Sequence, residues 1–229
     1  MEVSPSVGAI YAAACERLGA RVGAAEIQEA FDRAWVALSA EVPSGCNRYA
    51  LYPGGEEEWW ERISTMAFDL CSVPADRRPA VAALREVFSQ PSAWRVYPET
   101  MAALEALRAA GLRMGIISNW DSRLPALLSR LRLDGYFESV ICSARAGCEK
   151  PNPAIFEMAL RALQIPPSSA LHIGDRAEED YHGARAAGLR ALAVDRGAGG
   201  ALLRDAVARG GDGRDVVADL GEAVARIIG

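Results

Sequence analysis

Three stretches of this chain carry residues able to do chemistry: "GIISNWD" (115–121), "GCEKPNPAIF" (147–156) and "HIGDRAEED" (172–180). The middle one holds Lys150, the only lysine; the other basic residues, 24 of the 25 Lys+Arg, are arginines. An ammonium is a compact point charge with three donors, whereas a guanidinium is a broad planar fork. A solvated surface takes either, but a cramped site where one cation must touch carboxylate and phosphate oxygens together favours the ammonium. The plainer alternative is a lysine surviving by chance in a proline-flanked loop. The first stretch adds Ser118, Asn119 and Asp121, and the third adds Asp175 and Asp180. A hydroxyl with turn amides, an ammonium and a carboxylate pair together suit a phosphate and a hard cation such as Mg²⁺. Each residue also has a duller reading: Ser118 and Asn119 as turn formers, Asp121 as a helix cap, Asp175 and Asp180 as acids at a helix N-terminus.

These residues act together only if the fold brings their stretches together. The first ninety or so residues read as helices. Ser4-Pro5 opens one that runs to about Leu18, and Ile27, Ala30, Phe31, Ala34 and Trp35 recur at helical spacing in a second. "EVPSGCNRYALYPGG" reads as a loop, "EEEWWERISTMAFDLC" as a third helix with acids at its start, and "PADRRPAVAALREVFS" as a fourth. Trp59 and Trp60 are expected to pack between helices rather than line a pocket. After "QPSAWRVYPET" the pattern alternates. Apolar strands "LRMGIIS", "SVICS", "ALHIG" and "LRALAVD" are separated by helices at 99–110, 124–131, 154–163 and 178–187, with "DVVAD" and "LGEAVARIIG" as a last strand and helix. Alternating strands and helices predict an α/β fold with a doubly wound parallel sheet. The expected division is a helical domain over 1–92 and the α/β domain over 93–229. In such sheets ligands bind beyond the carboxyl ends of the strands, where Ser118, Lys150 and Asp175 fall.

The bulk numbers narrow the function. A chain of 229 residues, 51% hydrophobic and 24% charged, can bury a sizeable core. Its net charge of -5, with no basic stripe, argues against nucleic-acid binding. No apolar run is long enough to span a bilayer, and "VGAIYAAAC" reads as amphipathic helix rather than an export signal. Five cysteines without metal-type spacing fit a reducing, cytoplasmic setting. Cys148 lies near Lys150, but a redox role is the minority reading. His172, within an apolar strand, reads as a core histidine, and His182 is given no catalytic role.

Taken together, "GIISNWD", "EKPNPAIF" and "HIGDRAEEDYHGARAAG" resemble, in order and spacing, the second to fourth motifs of the haloacid dehalogenase-like hydrolase superfamily. The helical first part resembles that superfamily's cap. The resemblance implies a Rossmann-like core and Mg²⁺-dependent phosphoryl transfer through an aspartyl-phosphate, acting on a small phosphorylated substrate. It implies that Ser118 binds phosphate, that Asn119 adds a backbone contact and that Lys150 bridges phosphate and nucleophile. Asp175 would hold the metal, and Asp180 would hold it directly or through water. Two carboxylates in the last motif favour a phosphatase over a dehalogenase, and the cap has no lysine of the kind a phosphonate hydrolase requires. The family's first motif, which brings the nucleophilic aspartate on a central strand, has no counterpart: no Asp precedes Asp32, inside a cap helix. The expectation is that this strand lies upstream and that Met1 is an internal methionine. The alternative is a non-catalytic relative that binds a phosphorylated ligand or a protein. Nothing in the sequence specifies an oligomeric state.

Overall fold

The computed structural model describes residues 1–73, 76–197, 203, 204, 207 and 213–229. The stretches "RGAGG" (196–200) and "RGGDGR" (209–214), which the sequence marks as loops, lie for the most part outside the described residues. The chain divides into two compact units. One comprises Met1–Pro43, Asn47–Tyr97 and Arg123–Arg132, the other Ser44–Cys46, Pro98–Ser122 and Leu133–Gly229.

The first unit is helical. It contains α1 (Val7–Arg17), α2 (Ala24–Ser39), α3 (Gly55–Leu70) and α4 (Arg78–Ser89). Ser6, rather than Ser4, caps α1, its hydroxyl accepting from the Ala9 amide at 3.1 Å. Ile27, Ala30, Ala34 and Leu38 fall on one stripe of α2 and are buried. Ile27, Ala30 and Ala34 join Tyr11, Cys15, Phe68 and Leu84 in a single apolar core. Fully burying one such side chain as Ile27 contributes about 1.5–3 kcal/mol. The Tyr11 hydroxyl meets that of Ser64 at 2.9 Å inside this core, and burial pushes its pKa far up. Trp59 is wholly buried, edge-on to Trp35 at 6.1 Å, and Trp60 lies 6.0 Å from the same ring. The tryptophans pack helices, as the sequence predicts. The Arg48 guanidinium lies over Trp35 at 5.0 Å and Trp59 at 5.5 Å. Two short strands were not legible from periodicity: β1 (Glu2–Val3) pairs antiparallel with β2 (Trp94–Arg95).

The second unit alternates strands and helices. In order it holds α5 (Thr100–Ala109), β3 (Gly115–Ser118), β4 (Ser139–Cys142), the short α7 (Ser143–Ala146), α8 (Pro153–Leu163), β5 (Leu171–Gly174), α9 (Gly183–Ala186), β6 (Arg190–Val194), β7 (Val216–Val217) and α10 (Leu220–Ile228). Helix α6 (Leu124–Arg130), between β3 and β4 in sequence, belongs to the first unit, where Arg123 and Arg130 donate to the carbonyls of Arg85 and Ser89. Among the described residues all strand pairs of the second unit are parallel, and they form two sheets. In one, β3 runs beside β4 from Gly115↔Ser139 to Ser118↔Cys142. In the other, β6 lies between β5 and β7. Among the described residues β3 and β5 share no ladder. Ile155, Phe156 and Leu160 of α8 pack with Tyr181, Ala184, Ala191 and Ala193 into the core of this unit. Among the described residues no helix is long and apolar enough to cross a membrane.

Candidate functional site

Lys150 follows α7 in a loop turned by Gly147, whose φ of +76° is the left-handed conformation glycine takes freely. Its ammonium donates to the Ile117 carbonyl of β3 at 3.1 Å and pairs with the Asp180 carboxylate. Both side chains are nearly buried, at 11% and 4% exposed. The loop is held from below by Asn119. Its amide nitrogen donates to the Lys150 carbonyl at 3.0 Å, and its side-chain oxygen accepts from the Lys150 amide at 2.7 Å. This two-way clamp fixes the backbone of the residue whose side chain carries the charge. Such buried, geometrically matched hydrogen bonds are each worth about 1 kcal/mol and cost more when half-broken.

Asp180 arrives by a different route. The sequence predicts an α-helix over 178–187; instead the chain makes a π-helical turn, Ala177–His182, before α9. The Asp180 carboxylate folds back so that its Oδ2 accepts from the Arg176 amide at 3.0 Å. Its Oδ1 lies 2.8 Å from His172 Nε2 and also receives Lys150. Room for this comes from Gly174: a Cβ there would sit 2.2 Å from Asp180 Cγ. The glycine of "GD" is therefore a steric requirement of the aspartate six residues later. Burial works against ionisation of Asp180, but the His172 hydrogen bond and the Lys150 charge outweigh it. Together they hold its carboxyl well below the usual carboxylate range.

The remaining sequence-predicted residues are placed as follows. Ser118 ends β3, half-buried, and its carbonyl accepts from the Trp120 amide at 2.9 Å. Asp175, just past β5, is exposed and bonds no other described residue. Asp121 is fully buried and is not the cap of α6, whose first flanking residue is Arg123. The structure thus gathers Asn119, Lys150 and Asp180 into one bonded cluster, with Ser118 and Asp175 at the ends of the flanking strands. For a hard divalent cation the donor set is partial: Asp175 offers an exposed carboxylate, while the Asp180 carboxylate is buried and already receives three donors. No group of three or more His, Cys, Asp or Glu side chains placed to hold a metal ion occurs among the described residues. Mg²⁺ does not need one, since it keeps several waters and completes its shell with substrate oxygens.

His172, read from the sequence as a core histidine, is nearly buried and is also a partner of Asp180. Its ring stands edge-on to Phe156 at 5.3 Å while Nε2 reaches Asp180. The signal for it was strand alternation, which puts 172 and 174 on one face of β5, so that whatever sits above Gly174 also faces His172. Gly183, at the start of α9, permits a second close approach: a Cβ there would lie 3.0 Å from Pro151, the residue after Lys150.

This geometry can be set beside known proteins. A family model described as "haloacid dehalogenase-like hydrolase" matches residues 3–188. Haloacid dehalogenase-like hydrolase domain-containing protein 3 of Bos taurus is 35% identical over 191 residues, covering 82% of this chain and 74% of that protein. A phosphoserine phosphatase of Thermus thermophilus is 32% identical over 179 residues, 70% of this chain and 72% of its own. A HAD phosphatase crystal structure from Thermococcus onnurineus superposes with a TM-score of 0.59 at 22% identity, over 97% of this chain and 88% of that one. The last likeness establishes the fold, a Rossmann-like α/β core with a helical cap. The family match over most of its length and the 35% identical relative show that this chain belongs to the haloacid dehalogenase-like hydrolases.

Proposed function

We propose that this protein is a Mg²⁺-dependent phosphohydrolase for a small phosphorylated metabolite, working through an aspartyl-phosphate. The observation that carries the reading is the Lys150 ammonium, held at the ends of β3 and β5 by Ile117 and Asp180 with its backbone clamped by Asn119. A preorganised cation of this kind stabilises charge developing on a transferring phosphoryl group. In this reading Ser118 and the Asn119 backbone bind phosphate oxygens, and Lys150 bridges phosphate and nucleophile. Asp175 holds the cation directly, and Asp180 holds it directly or through water. When bound, Mg²⁺ would supply positive charge to the phosphoryl oxygens. Named phosphatases among the relatives, including the phosphoserine phosphatase, support the reaction class. In this reading the nucleophilic carboxylate comes from an upstream strand, which would pair with the edges of β3 and β5 that no described strand occupies. Cytoplasmic residence is part of the same proposal.

The test is hydrolysis of an aryl phosphate by residues 1–229 and by a form extended upstream through an Asp-bearing strand. The extended form should be active with Mg²⁺, inactive in EDTA and inactive as Asp175→Asn; full activity in EDTA would overturn the metal-dependent reading. A second reading, a non-catalytic phosphate-binding protein, rests on a specific observation. The carboxylate paired with Lys150, that of Asp180, is buried and already receives three donors, as a structural ion-pair partner would. Phosphate binding without turnover in both forms would favour it.

A further inference from the structure

Outside the lysine–aspartate cluster, two of the five cysteines meet across the backbone. Cys46 and Cys148 form an isolated antiparallel bridge within the second unit. The Glu149 amide donates to the Gly45 carbonyl at 3.2 Å, one residue outward on each strand. That pattern makes Cys46 and Cys148 a non-hydrogen-bonded pair, the kind whose α-carbons approach to about 4.5 Å with side chains close together. Disulfides form across α-carbon separations of about 4.4–6.8 Å. Two further features hold the segments at this range. Asn152 Nδ2 donates to the same Gly45 carbonyl at 3.2 Å. Gly45, at φ +77°, lets the chains touch, since a Cβ there would lie 2.9 Å from that of Asn152.

We infer that Cys46 and Cys148 are a dithiol–disulfide pair, oxidised by low-molecular-weight disulfides such as oxidised glutathione. The bond would staple Ser44–Cys46 to the loop that carries Lys150. The inference is independent of the phosphohydrolase reading. The two thiols differ in a useful way. Cys46 is exposed, whereas Cys148 is partly buried against the apolar core and its pKa is pushed up by that burial. Cys46, as thiolate, attacks one sulfur of oxidised glutathione and releases one glutathione thiolate. Cys148 then gives up its proton and attacks the Cys46 sulfur of the mixed disulfide, releasing the second glutathione. Two protein thiols and one glutathione disulfide thus become one protein disulfide and two reduced glutathiones. The competing pair is Cys15 and Cys71 in the helical unit. No backbone bridge joins them, and burial pushes the Cys15 thiol up to about 11.

The 229-residue chain is incubated with oxidised glutathione, quenched by alkylation, and its free thiols are counted and mapped by peptide mass spectrometry. The count should fall from five to three, with Cys46 and Cys148 joined in one monomeric chain and restored by dithiothreitol. Exchange of the Glu149 amide should slow about tenfold on oxidation, as local opening is suppressed. Cys148→Ser should retain one glutathione on Cys46, whereas Cys46→Ser should lose no thiols. Retention of all five thiols, a Cys15–Cys71 or intermolecular bond, or stable glutathione on Cys46 of the wild-type chain would each overturn the inference.

Discussion

The Lys150 ammonium touches a backbone carbonyl and a buried carboxylate at once, and that double contact sets what a substitution does. In Lys150→Arg the planar fork cannot meet Ile117 and Asp180 from the same compact position. The protein should still fold, while turnover of an aryl phosphate by the extended form should fall by about 100-fold or more, the scale of losing one oriented charge-stabilising donor. Steady-state kinetics beside a denaturation curve separate the two effects. Near-normal turnover would make the lone lysine an accident of composition. Asp180 gives a pH signature. Its folded pKa lies below its unfolded value, so its contribution is present above about pH 4 and is lost as pH falls toward the folded pKa. Asp180→Asn should be less stable at neutral pH by about 3–5 kcal/mol, because Lys150 loses its buried partner. It should also show a flatter loss of stability in acid, which urea unfolding at stepped pH would reveal. At this scale the sequence was informative where a residue type was out of place, as with the sole lysine. It was silent where the partner is ordinary: a histidine in an apolar strand looks like core, and only the fold puts Asp180 beside it.

At the scale of elements, β5 and the turn after it work as one piece. Gly174→Ala pushes a methyl group into the space of the Asp180 carboxylate, so both stability and the lysine pair should suffer, by about 1–3 kcal/mol in stability. Gly183→Ala, whose nearest neighbours are Pro151 atoms at 3.0 Å, should be milder. The ordering, read from denaturant midpoints, is the check; equal effects would mean that Asp180 moves aside freely. Long helices and the alternating strands were legible because their periods run over many residues. The π-helical turn was not, because it goes with a side chain bonding its own backbone four residues back, which no hydrophobic period encodes. Strands of two residues, such as β1 and β2, carry no period at all. The four-residue helix α7 is equally invisible.

For the whole molecule, three motifs in order were enough to give the family, whereas the division of the described parallel strands into two sheets required coordinates. Strand periodicity reports which residues are buried and says nothing of which edges pair. Strand β6, flanked on both sides, should exchange its amides more slowly than β3, which has one described neighbour. Hydrogen exchange followed by mass spectrometry resolves the two segments. Pairing by an upstream strand in the extended form should protect β3 and β5 and leave β6 nearly unchanged; uniform protection of β3 in residues 1–229 alone would count against the proposed strand.

A protein with a single lysine also has an unusual outer chemistry. Acylating reagents, amine-directed cross-linkers and isopeptide-forming enzymes find, apart from the amino terminus, one amine, and it is 11% exposed and ion-paired. Its peptide bond precedes Pro151, which shields it from lysine-directed proteases as well. Covalent labelling of this amine therefore becomes a clock for how often the Lys150–Asp180 contact opens, read against a surface that otherwise contributes no signal.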